Sequence, residues 1–293
     1  MAEKFYFGVP GAIEEIRAPE SGMTFGNNND TEVTQLINGH RSVFSAPLTY
    51  KTYSMSWKAG SASLQHLIDA YNGQFGRGPF YLTDPTATAA NVLPARWANC
   101  WQLAHQSNGW GKPVVNDWPM PTVPSASSPR VNKRVKFTQA ISGSNVLLEG
   151  VLKMRTIRVP GSSYFLSCYG TATGGAGIKV RGFNQTTQAW EAITTFVTFT
   201  GLPVKVLDST NTTYTMLELD IYLPLGSTLL LYGMALGTVD PTTLPTDYMP
   251  RGKGVGALKF TNTLNGNLTS KAVDRIGLSV DLMEVQNVES RAF

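Results

Sequence analysis

The sequence has few charged residues, few cysteines and no long apolar run. Asp, Glu, Lys and Arg together make up 15% of its 293 residues, well below the roughly 25% of an average domain. Two cysteines, Cys100 and Cys168, do not build a disulfide framework, and their spacing does not suit a zinc knuckle. No stretch approaches the roughly 18 apolar residues of a membrane span. Residues 1–8 lack the apolar segment of a secretory signal, so we expect a protein made in the cytosol.

What the sequence does contain favours strands and turns. Hydrophobic residues make up 42%, which is enough for a packed core, and the length suits one large domain or two of ordinary size. There are 28 glycines, 17 prolines and 31 threonines. Threonine and aromatic residues are enriched in strands, and glycine and proline in turns. The composition therefore predicts a mainly β protein.

Residues 50–57 begin a compact strand, helix and strand unit. The residues alternate, with Tyr53, Met55 and Trp57 on one face of a predicted strand. Leucines and other apolar residues then recur at 64, 67, 68 and 71, which predicts one short helix. Ser61 or Ser63 is the expected helix cap, and residues 72–73 (Asn-Gly) the expected left-handed stop. A glycine turn at 76–79 and a strand from residue 80 complete the unit.

A proline-rich segment divides the chain. Four prolines in residues 117–129 exclude a helix or a central strand and predict an extended linker. Short strands at about ten-residue spacing follow, which is typical of a β-sandwich or jelly roll; they are predicted at 146–152, 164–169, 177–182, 194–199, 214–222 and 228–236. The apolar alternation near 257–260 and 278–282 predicts that the C-terminal residues pair with the first domain again.

The sequence offers no arrangement that favours catalysis. The three histidines, His40, His66 and His105, lie outside any nucleophile-elbow or metalloprotease motif. Residues 252–257 fit G-x-G-x-x-A, but prolines precede them and a strand follows, so we expect a loop and no dinucleotide site. We read residues 174–177 as a turn between strands. We therefore expect no enzyme activity, no catalytic residue, no cofactor and no metal.

Two acidic residues and one tryptophan leave a role in sugar chemistry or sugar binding open. Glu218 and Asp220 share one strand face at a spacing that a glycosidase pair would allow, but alternating acids more often face solvent, and we expect that here. Trp190 has polar neighbours and is the best exposed aromatic candidate for carbohydrate contact. The stretch 130–158 carries seven basic residues against Glu149 alone, which predicts a solvated, charged strand-and-loop edge; the alternative is a face that meets nucleic acid or an acidic protein.

Four segments of the sequence resemble a known family. Residues 50–85 contain the alternating strand ending in Ser-x-Trp, the short helix, and Gly-x-Gly-Pro-Phe-x-x-x-Asp-Pro. Residues 222–235 begin with Tyr-Leu-Pro-Leu-Gly-Ser-Thr. Residues 249–260 contain a Pro-x-Gly-x-Gly loop before a Leu-x-Phe strand, and the matching residues 277–285 come last. This order resembles the distal tail proteins, which are minor tail proteins of long-tailed (siphovirus-type) bacteriophages. Within that family it is most similar to the proteins of phages that infect actinobacteria.

The resemblance implies both an architecture and a role. It implies an N-terminal tail-ring (belt) β domain with one short helix at 1–128, to which 250–293 return. It also implies an outer β-sandwich at 129–249, similar to galectins and carbohydrate-binding modules. Such proteins form a hexameric ring between the tail tube and the baseplate hub, without catalysis. Tyr53, Met55 and Trp57 are then the candidate ring-interface residues, and edge strands are expected to pair between protomers.

The partners and the location follow from the same resemblance. We expect a homo-hexamer that contacts the tail tube protein, the hub and tip proteins and the tape measure protein. It would be part of the virion, at the tail tip, and would assemble in the host cytoplasm without nucleic acid or membrane insertion. One alternative is a carbohydrate-binding module for adsorption to host cell-wall glycan, with Trp190 in contact with sugar. Another is a capsid or decoration protein.

Overall fold

The computed structural model describes residues 4–20, 22–28, 31–35, 41–45, 50–58, 64–83, 91–94, 98, 135–138, 154–197, 204–222, 227–239, 252–261, 265–270 and 275–285. Within them the chain forms, in order, β1 (Phe5–Val9), β2 (Ala12–Ile16), β3 (Thr24–Asn28), β4 (Thr31–Gln35), β5 (Arg41–Ser45), β6 (Tyr50–Trp57), α1 (Gln65–Tyr71), β7 (Tyr81–Thr83), β8 (Val135–Thr138), β9 (Met154–Ile157), β10 (Tyr164–Thr173), β11 (Gly177–Asn184), β12 (Ala189–Val197), β13 (Val204–Leu207), β14 (Tyr214–Tyr222), β15 (Thr228–Gly237), β16 (Leu258–Phe260), β17 (Asn265–Ser270) and β18 (Arg275–Glu284). The predicted mainly β fold with one short helix is confirmed. The predicted linker lies outside the described residues.

The N-terminal and C-terminal strands form two antiparallel sheets, which with α1 we call the first unit (residues 4–83 and 252–285). Its strands run β2-β1-β7 and β16-β18-β6-β3. Reciprocal backbone hydrogen bonds of 2.8 and 2.9 Å between Phe80 and Leu258 join the two parts. Strand β17 pairs with β18 as well. Because β18 lies directly against β6, the last strands of the chain complete a sheet that the first strands begin.

The core of the first unit lies between these sheets and α1. Alternation in β6 and β18 sends every second side chain into this core, and the helix adds Leu67 and Ala70. The larger buried members are Phe5, Phe7, Ile16, Tyr53, Met55, Trp57, Leu64, Leu67, Phe80, Leu82, Leu258, Leu278, Val280 and Leu282.

The helix differs from its prediction at one end. Its N-cap is Leu64, which makes no side-chain capping hydrogen bond. The predicted serine cap is therefore wrong, and Ser61 and Ser63 lie outside the described residues. The predicted end is confirmed, because Gly73 follows the helix with a left-handed φ of 83°, a conformation that glycine adopts without steric conflict.

The middle of the chain forms two facing sheets, which we call the sandwich (residues 135–138 and 154–239). One sheet runs β13-β10-β15-β8 and the other β12-β11-β14-β9, all antiparallel. Between them lies a core that includes Tyr164, Cys168, Leu217 and Leu219. Burial raises the pKa of the Tyr164 hydroxyl to about 12, and this oxygen accepts a hydrogen bond from the Val159 amide (2.8 Å).

Strand bounds in the sandwich follow the predictions unevenly. The strand predicted at 214–222 has those bounds as β14 (Tyr214–Tyr222), and the turn at 174–175 between β10 and β11 is confirmed. The strand predicted at 194–199 is wrong at its start, because β12 begins at Ala189. Trp190 therefore lies in a strand and not in the preceding turn. The strand predicted at 146–152 lies outside the described residues.

Candidate functional site

The three candidate ring-interface residues lie inside the first unit. Tyr53, Met55 and Trp57 are 3%, 1% and 2% exposed, and their strand β6 is paired on both sides, with β3 and β18. Their side chains therefore pack within one protomer and do not form its outer surface. A role for these three residues in ring formation stays a prediction. They would act by holding the sheet in its conformation, and not by direct contact with a neighbouring protomer.

Trp57 also joins two distant parts of the first unit. Its indole Nε1–H donates to the backbone carbonyl of Arg17 at 2.9 Å. One residue earlier, the carbonyl of Ser56 accepts a hydrogen bond from the Glu20 amide at 3.1 Å. Both bonds attach the connection between β2 and β3 to the end of β6. Trp57 thus fills the core and holds this connection in place.

An apolar contact joins the sandwich to the first unit. The outward row Ile157, Met216, Phe183 and Trp190 runs across the four strands β9, β14, β11 and β12 in direct register. First-unit residues cover it: Tyr81, Ala257, Tyr6, Ile13 and Val285 pack into the same apolar cluster. We call this contact the junction. Because apolar area is removed from water on both sides, the junction stabilises one orientation of the sandwich on the first unit.

A charged row adjoins the apolar row on the same sheet face. Glu218 pairs across the strands with Arg155 on one side and Arg181 on the other. The Arg155 Nε–H donates to Glu218 Oε2 at 2.7 Å, and the Glu218 side chain is fully buried. The expectation that Glu218 and Asp220 face solvent is wrong, since they are 0% and 2% exposed. Glu218 is thus part of a buried ion pair and is shielded from any sugar in solution.

Trp190 is partly buried by its neighbours on this face. Its ring meets Phe183 edge-on, with centroids 5.4 Å apart, and the Arg155 guanidinium lies 4.8 Å from its centroid. A cation over an aromatic face is an attractive contact. One face of the indole is therefore engaged inside the protein. Carbohydrate contact by Trp190 stays a prediction, and it would have to use what remains exposed of the ring.

Residues 91–94, which we call the strap, connect the sandwich to the loop 252–256. The Asn91 side chain donates to the Met234 carbonyl (3.1 Å) and accepts from the Leu236 amide (3.2 Å), both in β15. On the other side, the Lys253 amide donates to the Asn91 carbonyl (3.1 Å). Val92 and Leu93, together with Ala98, are buried in the sandwich core. These residues belong to the predicted N-terminal domain, yet they pack on the sandwich.

The strap explains the glycines of the 252–257 motif. A Cβ atom at Gly252 or Gly254 would overlap the carbonyl groups of Leu93 and Val92, respectively. The Gly254 amide donates to the Leu93 carbonyl at 3.1 Å. The two backbones thus approach so closely that neither position has room for a side chain. The predicted loop is confirmed, because residues 252–257 precede β16 and belong to no helix or strand, and the glycines serve the contact with the strap.

Replacing Gly254 with Ala should therefore destabilise the protein by about 1–3 kcal/mol, the usual range for overpacking. The matched control is Gly26→Ala, where a Cβ would approach only the Thr52 hydroxyl, at 3.1 Å, so its effect should be smaller. Urea unfolding followed by tryptophan fluorescence measures both variants. Equal free energies of unfolding for the two would contradict the close approach of loop and strap.

Two of the seven basic residues in 130–158 make polar contacts inside the sandwich. Arg155 pairs with Glu218, and Arg158, which is 5% exposed, donates to the carbonyls of Tyr214, Asp208 and Ser209 at 3.3–3.4 Å. Burial lowers the pKa of the Arg158 guanidinium. For these two residues the predicted charged edge is wrong, because their charges hold strands and a loop together.

The remaining chemical candidates do not form a reactive group. His66 is buried on α1 between Phe7 and Phe75, with its Nδ1 3.6 Å from Glu14 Oε2. Burial raises the pKa of the Cys168 thiol, which disfavours the reactive thiolate. His40, His105 and Cys100 lie outside the described residues. In the described part of the chain, His, Cys, Asp and Glu do not cluster as metal ligands, and α1 is too short to cross a membrane.

Comparisons with known proteins do not assign a role to this chain. The sequence matches no protein-family model and no curated protein. Among solved structures, a chain in the crystal structure of accessory secretory proteins 1, 2 and 3 of Streptococcus pneumoniae is 11% identical. The match covers 52% of this chain and 98% of that chain, with a TM-score of 0.31. A TM-score this low carries no argument about fold or function.

Proposed function

We propose that this protein is a structural component of a bacteriophage tail tip, a distal tail protein that forms a hexameric ring. The ring joins the tail tube to the baseplate hub and carries the sandwiches on its outside. The proposal starts from the motif order at 50–85, 222–235, 249–260 and 277–285. It assigns the protein no catalytic activity and places it in the virion after assembly in the host cytoplasm.

The observation that carries the proposal is the pairing of β18 with β6. Six residue pairs, from Leu278↔Trp57 to Met283↔Thr52, join the two strands in register, so the chain leaves the first unit, builds the sandwich, and returns. This is the arrangement that the resemblance implies for a ring domain with an outer sandwich. Strand β6 of the 50–85 motif and strand β18 of the 277–285 motif, which are distant in the sequence, lie in one sheet. That adjacency supports reading them as parts of a single domain.

The junction supports a structural role for the sandwich. A ring that displays outer domains for contact with a neighbouring protein benefits from domains with a fixed orientation. The apolar row of the junction and the strap both join the sandwich to the first unit. The proposed neighbours are the tail tube protein, the hub and tip proteins and the tape measure protein.

Negative-stain electron microscopy of the purified chain tests the proposal. Class averages should show rings with six-fold symmetry and six outer lobes, one for each sandwich. Mixing with tail tube protein should place the ring at one end of the tube. Particles of a single chain that do not bind the tube would contradict the proposal and would favour a free carbohydrate-binding module. Closed shells would favour the capsid or decoration alternative.

A further inference from the structure

Three polar side chains lie together at one end of the sandwich core, and we call them the donor cluster (Arg158, Tyr164 and Thr215). The Arg158 amide donates to the Thr215 carbonyl at 3.0 Å, which continues the pairing of β9 with β14 by one residue. The next amide, that of Val159, donates to the Tyr164 hydroxyl at 2.8 Å. Because directly opposite residues of antiparallel strands project from the same face, Arg158 and Thr215 share the face of Met154, which lies in the sandwich core.

Each member of the donor cluster holds a hydrogen that meets no acceptor in the described part of the chain. The Arg158 Nε–H and the Thr215 hydroxyl are buried without a hydrogen-bond partner. The Tyr164 oxygen accepts from Val159, but the Tyr164 O–H itself donates to none of the described residues. Buried polar groups are paired in the great majority of cases, and a bound water or ion is one explanation of an exception. Three such donors in neighbouring positions therefore indicate a common acceptor.

The donor cluster also carries a positive charge without a counter-charge. Arg158 is 5% exposed, and the ion pairs among the residues that the structure describes do not include it. Its guanidinium donates only to backbone carbonyls, at 3.3–3.4 Å, which is longer than the usual distance of about 2.9 Å. Burial lowers the pKa of this guanidinium. A buried charge is costly unless it is paired, so the cluster favours a ligand of negative charge.

We propose that the donor cluster binds a small monovalent anion of the size of chloride. Such an anion accepts hydrogen bonds from all three donors and balances the Arg158 charge. A water molecule brings no charge and adds two hydrogens that need acceptors of their own. Because the Arg158 Nε and Thr215 Oγ1 atoms are buried, a single-atom anion fits better than phosphate or an organic acid.

The bound anion joins the two sheets of the sandwich. Tyr164 lies in β10, which belongs to one sheet, while Thr215 lies in β14 and Arg158 follows β9, both of the other sheet. The anion is thus a structural ligand that links the sheets at this end of the core. The inference does not depend on the proposed ring: a chain that forms no ring but binds chloride here leaves it standing.

Thermal unfolding of the unaltered chain in sodium chloride tests the site, with sodium gluconate at the same ionic strength as the reference. A ligand that binds only the folded chain raises the midpoint with the logarithm of its concentration. We expect a rise of about 2–4 °C for each tenfold increase in chloride above its dissociation constant. Equal midpoints in chloride and gluconate at every concentration would overturn the proposal.

A pair of conservative variants separates this site from general salt effects. Thr215→Val removes one donor and keeps the shape of the side chain, so the apparent dissociation constant for chloride should rise about tenfold or more, as for the loss of one hydrogen bond to a charged group. The matched control is Thr194→Val, because Thr194 Oγ1 is also buried without a hydrogen-bond partner but lies in β12, at the opposite edge of the sheet from β9. It should leave the chloride dependence unchanged. The same response in both variants contradicts the assignment.

Bromide locates the anion directly, since it substitutes for chloride and scatters X-rays anomalously. A crystal of the unaltered chain in sodium bromide should show an anomalous peak within hydrogen-bond distance of Arg158 Nε and Thr215 Oγ1. Peaks confined to exposed residues would mean adventitious ions only and would overturn the inference. An ordered water in place of bromide at this position would overturn it as well.

Discussion

Replacing Trp57 with Ala should lower the free energy of unfolding by about 3–5 kcal/mol, the usual range for truncating a buried tryptophan. The indole is 2% exposed and packs in the core of the first unit, so its removal leaves a cavity. The substitution also removes the hydrogen bond to the Arg17 carbonyl. Urea unfolding monitored by circular dichroism measures the loss.

Trp57→Phe separates the two contributions. Phenylalanine keeps most of the buried ring but cannot donate to Arg17, so we expect a smaller loss, near the roughly 1 kcal/mol of one hydrogen bond plus a minor packing defect. The same variants report on assembly. If Trp57 acts through the sheet, Trp57→Ala should weaken the ring while Trp57→Phe leaves it intact. A Trp57→Ala variant with unchanged stability would contradict its placement in the core.

Replacing Arg155 with Met should also destabilise the protein by about 3–5 kcal/mol, because it leaves a buried carboxylate without its ion-pair partner. Glu218 is fully buried, and the Arg155 side chain is 11% exposed. The variant additionally loses the cation over the Trp190 ring. The fluorescence of Trp190 should change together with the stability.

The matched variant removes both charges. Arg155→Met combined with Glu218→Leu replaces the ion pair by apolar side chains of similar size, an exchange that is often neutral or stabilising. The double variant should therefore be more stable than Arg155→Met alone. A double variant that is less stable than the single one would show that Glu218 contributes through Arg181 or another neighbour, and would contradict the dominant role of the Arg155 contact.

Patterns within one strand were predictable from the sequence, and contacts between distant segments were not. Strands β6 and β14 have the bounds predicted for them because alternation and apolar content are properties of consecutive residues. Alternation also placed Glu218 on the sheet face opposite the sandwich core. It could not show whether that face is exposed to solvent or covered by other residues of the protein. The carboxylate is buried and pairs with Arg155, which is 63 residues away.

The glycines at 252 and 254 show the same limit. Their spacing resembled a phosphate loop, while the reason for the glycines is the strap about 160 residues earlier. Strands β3, β4 and β5 were not predicted, because residues 24–45 are rich in Asn and Thr and show little apolar alternation. The role of Asn91 was not predicted, since the bonds that join it to β15 and to Lys253 go to backbone groups in two segments more than 140 residues away.

The mass of the purified chain in solution, measured by light scattering, tests the central claim of a hexameric ring most directly. Six chains of 31.8 kDa give about 191 kDa. The account predicts this mass, and predicts that it persists on dilution through the concentration range in which the chain stays folded. A mass of one chain, about 32 kDa, both alone and in the presence of tail tube protein, would contradict the ring.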